Sequence, residues 1–293
     1  MTVERVENVD TMTQPAINAI TENLSSARSL TQPKSQAWYK PTLSQQHGVY
    51  VVLLVSFLTG AALAQAWMLT TTLALVCAFL GFQAEHPIVL QIKQRRSLKP
   101  RFLVWGGLYS VVSVAIAFWL YLSFPILVWL YLGAIAALIV DAVSVFHREQ
   151  KSIFNEFITF AAVCLCSPLA YAATTGTISA TAMGLWVLNT LYFSSTIFTV
   201  KLRKPKTSSI VPGVVDHAIA TLIVAVLYYL GWLPFMAALG FGLALLKFGL
   251  IALNQQWYRT ARIQWVAMIE TGTAFCFLTL VALSLLPVRL TMF

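Results

Sequence analysis

Charge is what this sequence has least of. Only 10% of its 293 residues are Asp, Glu, Lys or Arg, against the roughly 25% of an average soluble domain. That shortage, with 59% hydrophobic residues and a mean hydropathy of +0.78, excludes a soluble globular chain, which could not cover its surface from this composition. Acidic residues are scarcer still, 10 against 19 Lys and Arg. The excess of positive charge does not indicate nucleic acid, because no basic patch with interleaved aromatics lies in a polar region. The four cysteines, Cys77, Cys164, Cys166 and Cys276, all sit within apolar runs. Cys164 and Cys166 are two apart and cannot bridge or chelate on one helix, so they read as packing residues. G-x-x-x-x-G-K-[ST], H-E-x-x-H and G-x-S-x-G are absent. No metal site and no cofactor is assigned.

What is present is a series of long apolar runs. A spanning helix needs about 20 such residues. Nine spans are expected, at about 48–66, 69–90, 102–122, 126–146, 156–173, 179–200, 212–231, 233–253 and 264–286. The fold class is all-α, a polytopic membrane helical bundle. Residues 1–40 are polar and open on the acidic stretch MTVERVENVD, unlike a signal peptide. They are expected to form a disordered cytoplasmic tail ahead of a membrane domain at 41–293, with Trp38 and Tyr39 as an interfacial anchor.

Alternate connections carry the charge. Loops 91–101, 147–156, 201–209 and 254–262 hold every Lys and Arg beyond the tail except Lys247 and Arg289. Positive loops stay inside, which places the amino terminus in the cytoplasm and the carboxyl terminus outside, in the plasma membrane or an internal membrane. Lys247 is expected to snorkel from the inner end of the eighth span, or to pair with Glu270 across helices. Loops 91–101 and 201–209 are both short, basic and Pro-containing, a faint echo of a parallel repeat of four helices plus four, with the ninth extra.

An ionisable group inside a span is costly and is a candidate for function. On this topology the acids and histidines beyond the tail all lie near the cytoplasmic ends of helices. His47, Glu85, His86, Asp141, Asn189, Asp216 and His217 are therefore the candidate lining of one polar cavity. Asn189 opens a polar stripe on the sixth span, with Tyr192, Thr196 and Thr199, expected to face the bundle interior. Each has a plain alternative. Gly48 beside His47 suggests a close backbone approach, Pro87 a stop or kink after Glu85 and His86, Arg148 a partner for Asp141, and the helix macrodipole an explanation for Asp216 and Glu156. Arg95, Arg96, Lys99, Lys201, Arg203 and Lys204 form a candidate anion-binding set.

The run Gln45-Gln46-His47-Gly48-Val49-Tyr50, following Trp38-Tyr39-Lys40-Pro41, resembles the opening of the YwiC-like membrane protein family. The likeness would cover about 41–287, and the family supplies no established activity to carry over. The nine-helix layout is also similar to UbiA-type intramembrane prenyltransferases. Those enzymes hold Mg²⁺ and a prenyl diphosphate with Asp-rich motifs after helices two and six. Here those places offer Glu85 followed by a basic run, and Lys201, Arg203, Lys204 and Lys206 without an acid. The expected partner is membrane lipid, an isoprenoid or another amphiphile, with no nucleic acid. A small-solute or ion transporter, a degenerate UbiA-like prenyltransferase and a membrane assembly factor are the alternatives, and whether the chain is an enzyme is left open.

Overall fold

The computed structural model describes residues 41–44, 47–94, 98–204 and 209–286. The expected tail, its Trp38–Tyr39 anchor, Arg95, Arg96 and Arg289 lie outside them. Among the described residues the regular structure is entirely helical. Among the described residues nine helices are long and apolar enough to cross a membrane: α1 (His47–Ala64), α2 (Leu69–Lys93), α3 (Pro100–Ser123), α4 (Pro125–His147), α5 (Ile153–Thr175), α6 (Ala180–Lys201), α7 (Val211–Tyr229), α8 (Phe235–Leu253) and α9 (Ile263–Leu285). The protein is thus an all-α, multi-pass integral membrane protein.

Local signals set the helix ends. Ser152 and Ser179 cap α5 and α6, accepting from Asn155 N at 3.2 Å and Ala182 N at 3.1 Å. Pro100 opens α3, where a missing N–H costs nothing. Gly176 ends α5 in the left-handed conformation at φ 74°. Two prolines act differently from expectation or from each other. Pro87 neither stops nor closes α2, which runs on to Lys93. Pro168 cannot donate to the Cys164 carbonyl, and α5 is interrupted at Leu165 between Ile153–Cys164 and Cys166–Thr175. A second interruption falls at Phe241 in α8.

Burial orders the bundle. α6 is the central helix, with 67% of its apolar window buried, against 17% for α3 and 11% for α4. One core joins α6, α7, α8 and α9 to α1 through Leu188, Tyr192, Val224, Phe241 and Phe277. A second joins α1, α2, α4 and α5 through Phe57, Ala74, Leu130 and Leu169. α1 serves both, and it crosses α5 so closely at Gly60 that an added Cβ would lie 1.9 Å from the Ser167 carbonyl oxygen. Only glycine permits that approach, a packing mode used by membrane helices that lack a hydrophobic drive to associate. The helical hairpins are not alike. α2 lies against α3 along its length, whereas α6 and α7 meet over a smaller region. α4 packs on α2 and α5 and touches α3 little beyond their connection at Phe124–Pro125.

Candidate functional site

A polar chamber of about 500 Å³ lies where α2, α4, α5 and α6 bring together the ends that carry charge. α2 contributes Glu85, His86 and Lys93, and α4 contributes Asp141. α5 and the turn before it contribute Lys151, Asn155, Glu156 and Thr159, and α6 and the residues after it contribute Thr196, Lys201 and Lys204. Its frame is a set of charged and amide contacts. Asn155 Nδ2 donates to Asp141 Oδ1 at 2.8 Å, tying α5 to α4. Thr159 donates to the Asn155 carbonyl at 2.9 Å. Lys201 pairs with Glu156 at 2.7 Å, tying α6 to α5. Glu156 also sits in the first turn of α5, where a carboxylate suits the helix dipole. Asn155 is 3% exposed, and among the described residues its Oδ1 has no hydrogen-bond partner. Arg148, the expected partner of Asp141, instead ends α4 in a left-handed conformation at φ 65°.

An apolar chamber of about 350 Å³ adjoins the polar one. Phe82, Glu85, Asp141, Thr159 and Val163 line both, so the two chambers share a wall of carboxylates and one hydroxyl. The rest of the apolar chamber is walled by residues such as Cys77, Gly81, Ser113, Ala117, Tyr131 and Leu169. It exists because α3 and α4 diverge from their short connection, leaving the space between them unfilled.

The structure brings Glu85, His86, Asp141, Lys201 and Lys204 of the candidate residues to this place, and takes the other described candidates elsewhere. His47 is exposed at the start of α1. Gly48 beside it allows no close approach, since a Cβ there would meet nothing within 4 Å. The residue of that run with a structural role is Tyr50. Its hydroxyl donates to the Ser44 carbonyl at 2.8 Å and accepts from Gln83 Nε2 at 2.6 Å, while Ser44 N donates to Gln83 Oε1 at 3.1 Å. This closed set fastens the segment entering α1 onto α2. Asn189 faces the interior as expected but lines neither chamber. It is fully buried and donates to Thr59 Oγ1 at 2.9 Å, holding α6 to α1.

Asp216 and His217 lie on α7, away from both chambers. Asp216 falls in the second turn, because the helix starts at Val211 rather than beside it. His217 is 3% exposed, donates from Nδ1 to the Gly213 carbonyl at 2.8 Å and stacks on Phe248 with centroids 4.2 Å apart. Lys247 does not snorkel. It is 4% exposed, pairs with Glu270 at 2.8 Å and lies 5.5 Å from the Tyr192 ring centroid. Of the remaining basic candidates, Lys99 precedes α3 with its ammonium 6.0 Å from the Phe102 ring centroid. Arg203 donates to the carbonyls of Tyr258 at 2.9 Å and Ala261 at 2.6 Å, closing the short helix Gln255–Thr260 against the end of α6. Burial pushes the Tyr258 phenol above its ordinary range.

Lys93, Lys151 and Thr159, which line the polar chamber, lie outside the candidates read from the sequence, and so do Asn155 and Gln83. The last two are uncharged amides at helix positions where nothing in the sequence distinguishes a cross-helix bond from a headgroup contact. The signal that could have found Asn155 is its place next to Glu156, fourteen residues from Asp141 across a tight turn.

Among the described residues, no group of three or more His, Cys, Asp or Glu is placed to hold a metal ion. No curated protein and no solved structure matches the chain. Every residue lining the apolar chamber lies between Leu53 and Leu169, and residues 43–171, which contain them all, match the model of the YwiC-like protein family.

Proposed function

We propose that this protein binds an amphipathic lipid or isoprenoid in a cavity open to the cytoplasm, with the amino terminus and the basic loops on that side. The observation that carries the reading is the pairing of two chambers of opposite character across a shared wall of Glu85, Asp141 and Thr159. A polar space at the charged end of the bundle, beside an apolar one that runs from it toward the opposite end, suits a molecule with a head and a tail. A through-pathway for a small solute would call for ionisable groups near the bilayer midplane; α5 and α8 are interrupted there, at Leu165 and Phe241, but neither break is bordered by a charged side chain. Here the charged lining gathers at one end of α2, α4, α5 and α6. Positive loops on the same end support the cytoplasmic assignment.

The test is to purify the full chain from its membrane, extract it, and identify retained lipid by mass spectrometry. One amphiphile enriched over the bulk lipid, and reduced by Thr159→Trp at the shared wall, is the expected result. Retained lipid that matches the bulk membrane, unchanged by that substitution, would refute the reading.

A further inference from the structure

We infer that the ligand is a membrane-resident amphiphile with a phosphate-type anionic head and one apolar chain, and that the chain enters sideways from the bilayer between α3 and α4. This rests on the lipid-binding reading above and names its substrate class and route.

The head follows from how charge is distributed over the two chambers. Lys93, Lys151, Lys201 and Lys204 line the polar chamber only, and they come from the end of α2, the α4–α5 turn and the end of α6. Lys201 is engaged by Glu156. Among the described residues Lys93, Lys151 and Lys204 make no ion pair. Glu85 and Asp141 instead line both chambers, at the junction. A phosphate in the polar chamber meets ammonium groups from three directions. The part of the ligand joining head to chain passes two carboxylates, which accept hydrogen bonds and so favour a hydroxyl at that point. A cationic head would have to displace itself past the lysines to reach the same carboxylates.

The route follows from the divergence of α3 and α4. Ser113, Val114 and Ala117 on α3 face the chamber from one side, and Ala134, Ile135 and Leu138 on α4 from the other. Val114 is 65% exposed and Ile135 53%, so the border of the chamber is also the surface of the bundle. At bilayer depth that surface is bathed in acyl chains. A chain entering there never leaves an apolar medium, whereas one entering through the polar chamber would be dragged past seven charged side chains.

The experiment uses the full-length protein in detergent, with native mass spectrometry as the readout. The probes are lysophosphatidic acid, a monoacylglycerol of the same chain, and inorganic phosphate. Lysophosphatidic acid carries a phosphate, a hydroxyl and one chain. It is expected to bind about tenfold or more tighter than the monoacylglycerol, the size of one charge-assisted contact. Inorganic phosphate should not displace it. The cleft is then blocked after folding. Ile135→Cys in a background carrying Cys77→Ala, Cys166→Ala and Cys276→Ser is modified with a benzyl methanethiosulfonate, and lysophosphatidic acid affinity should fall about tenfold, the loss of one buried contact. The same modification at Val111→Cys, exposed on α3 but outside the chamber lining, should leave affinity unchanged. Equal affinity for the two lipids overturns the anionic head, and unchanged affinity after blocking Ile135→Cys overturns the lateral route. Phosphate that binds while neither lipid does overturns the amphiphile altogether. Monoacylglycerol binding as tight as that of lysophosphatidic acid would leave the lipid reading standing while removing the anionic head; absence of any lipid binding would remove both.

Discussion

Replacing Gly60 by alanine adds one methyl group where α1 and α5 touch backbone to backbone. The new Cβ would lie 1.9 Å from the Ser167 carbonyl oxygen, 2.6 Å from its carbonyl carbon and 2.9 Å from its Cα. All three atoms are backbone, so no side-chain rotation relieves the contact. α1 and α5 would have to part by about 1.5 Å to restore a van der Waals separation. That movement strains two neighbouring contacts, Thr59 Oγ1 to Ser167 Oγ at 3.3 Å and Asn189 Nδ2 to Thr59 Oγ1 at 2.9 Å. Overpacking costs about 1–3 kcal/mol and interhelical hydrogen bonds in membranes average about 0.6 kcal/mol each, so the loss approaches about 4 kcal/mol. Gly48→Ala is the control, because nothing lies within 4 Å of its Cβ position. In a helix that change is neutral to favourable, by up to about 1 kcal/mol. Thermal unfolding of the two variants in the same detergent, read as the fraction still monodisperse, separates them. A Gly60→Ala protein as heat-resistant as Gly48→Ala would refute the packing argument.

Glu270→Leu leaves Lys247 buried without its partner and should destabilise the protein by about 3–5 kcal/mol, while Lys247→Met with Glu270→Leu should recover most of that loss, as a denaturant titration in mixed micelles would show. Thr177→Cys, in the charge-free α5–α6 turn, should react with an impermeant thiol reagent on intact cells, and Glu149→Cys should not; the reverse pattern would invert the proposed orientation. Asn155→Leu removes the donor that holds Asp141 and should lower lipid retention more than Asn155→Gln, which keeps an amide donor, measured on equal amounts of the purified variants. No Mg²⁺-stimulated transfer from a prenyl diphosphate is expected of the purified protein, since such catalysis is largely electrostatic positioning and, among the described residues, no group of three or more carboxylates is placed to hold the metal. Turnover abolished by Glu85→Gln would refute that expectation.

The sequence by itself determined the class, the nine spans and the alternation of charged with uncharged connections. These follow from composition and run length, which the bilayer reads one helix at a time. It also indicated the Lys247–Glu270 pair and the buried face of α6, because a lone cation or a polar stripe in an apolar run needs an internal partner. Which polar groups meet was decided only by tertiary packing. His47, Asp216 and Glu85 look alike in sequence, each near an inner helix end, yet one is exposed, one lies on α7 and one lines both chambers. The reason is rotational. A helix end places a residue at a depth, and the side it faces depends on how neighbouring helices pack, which in lipid is governed by small-residue contacts such as Gly60 on Ser167 rather than by any hydrophobic pattern. The apolar chamber was invisible for the same reason, since a space between α3 and α4 is made by where those helices fail to touch.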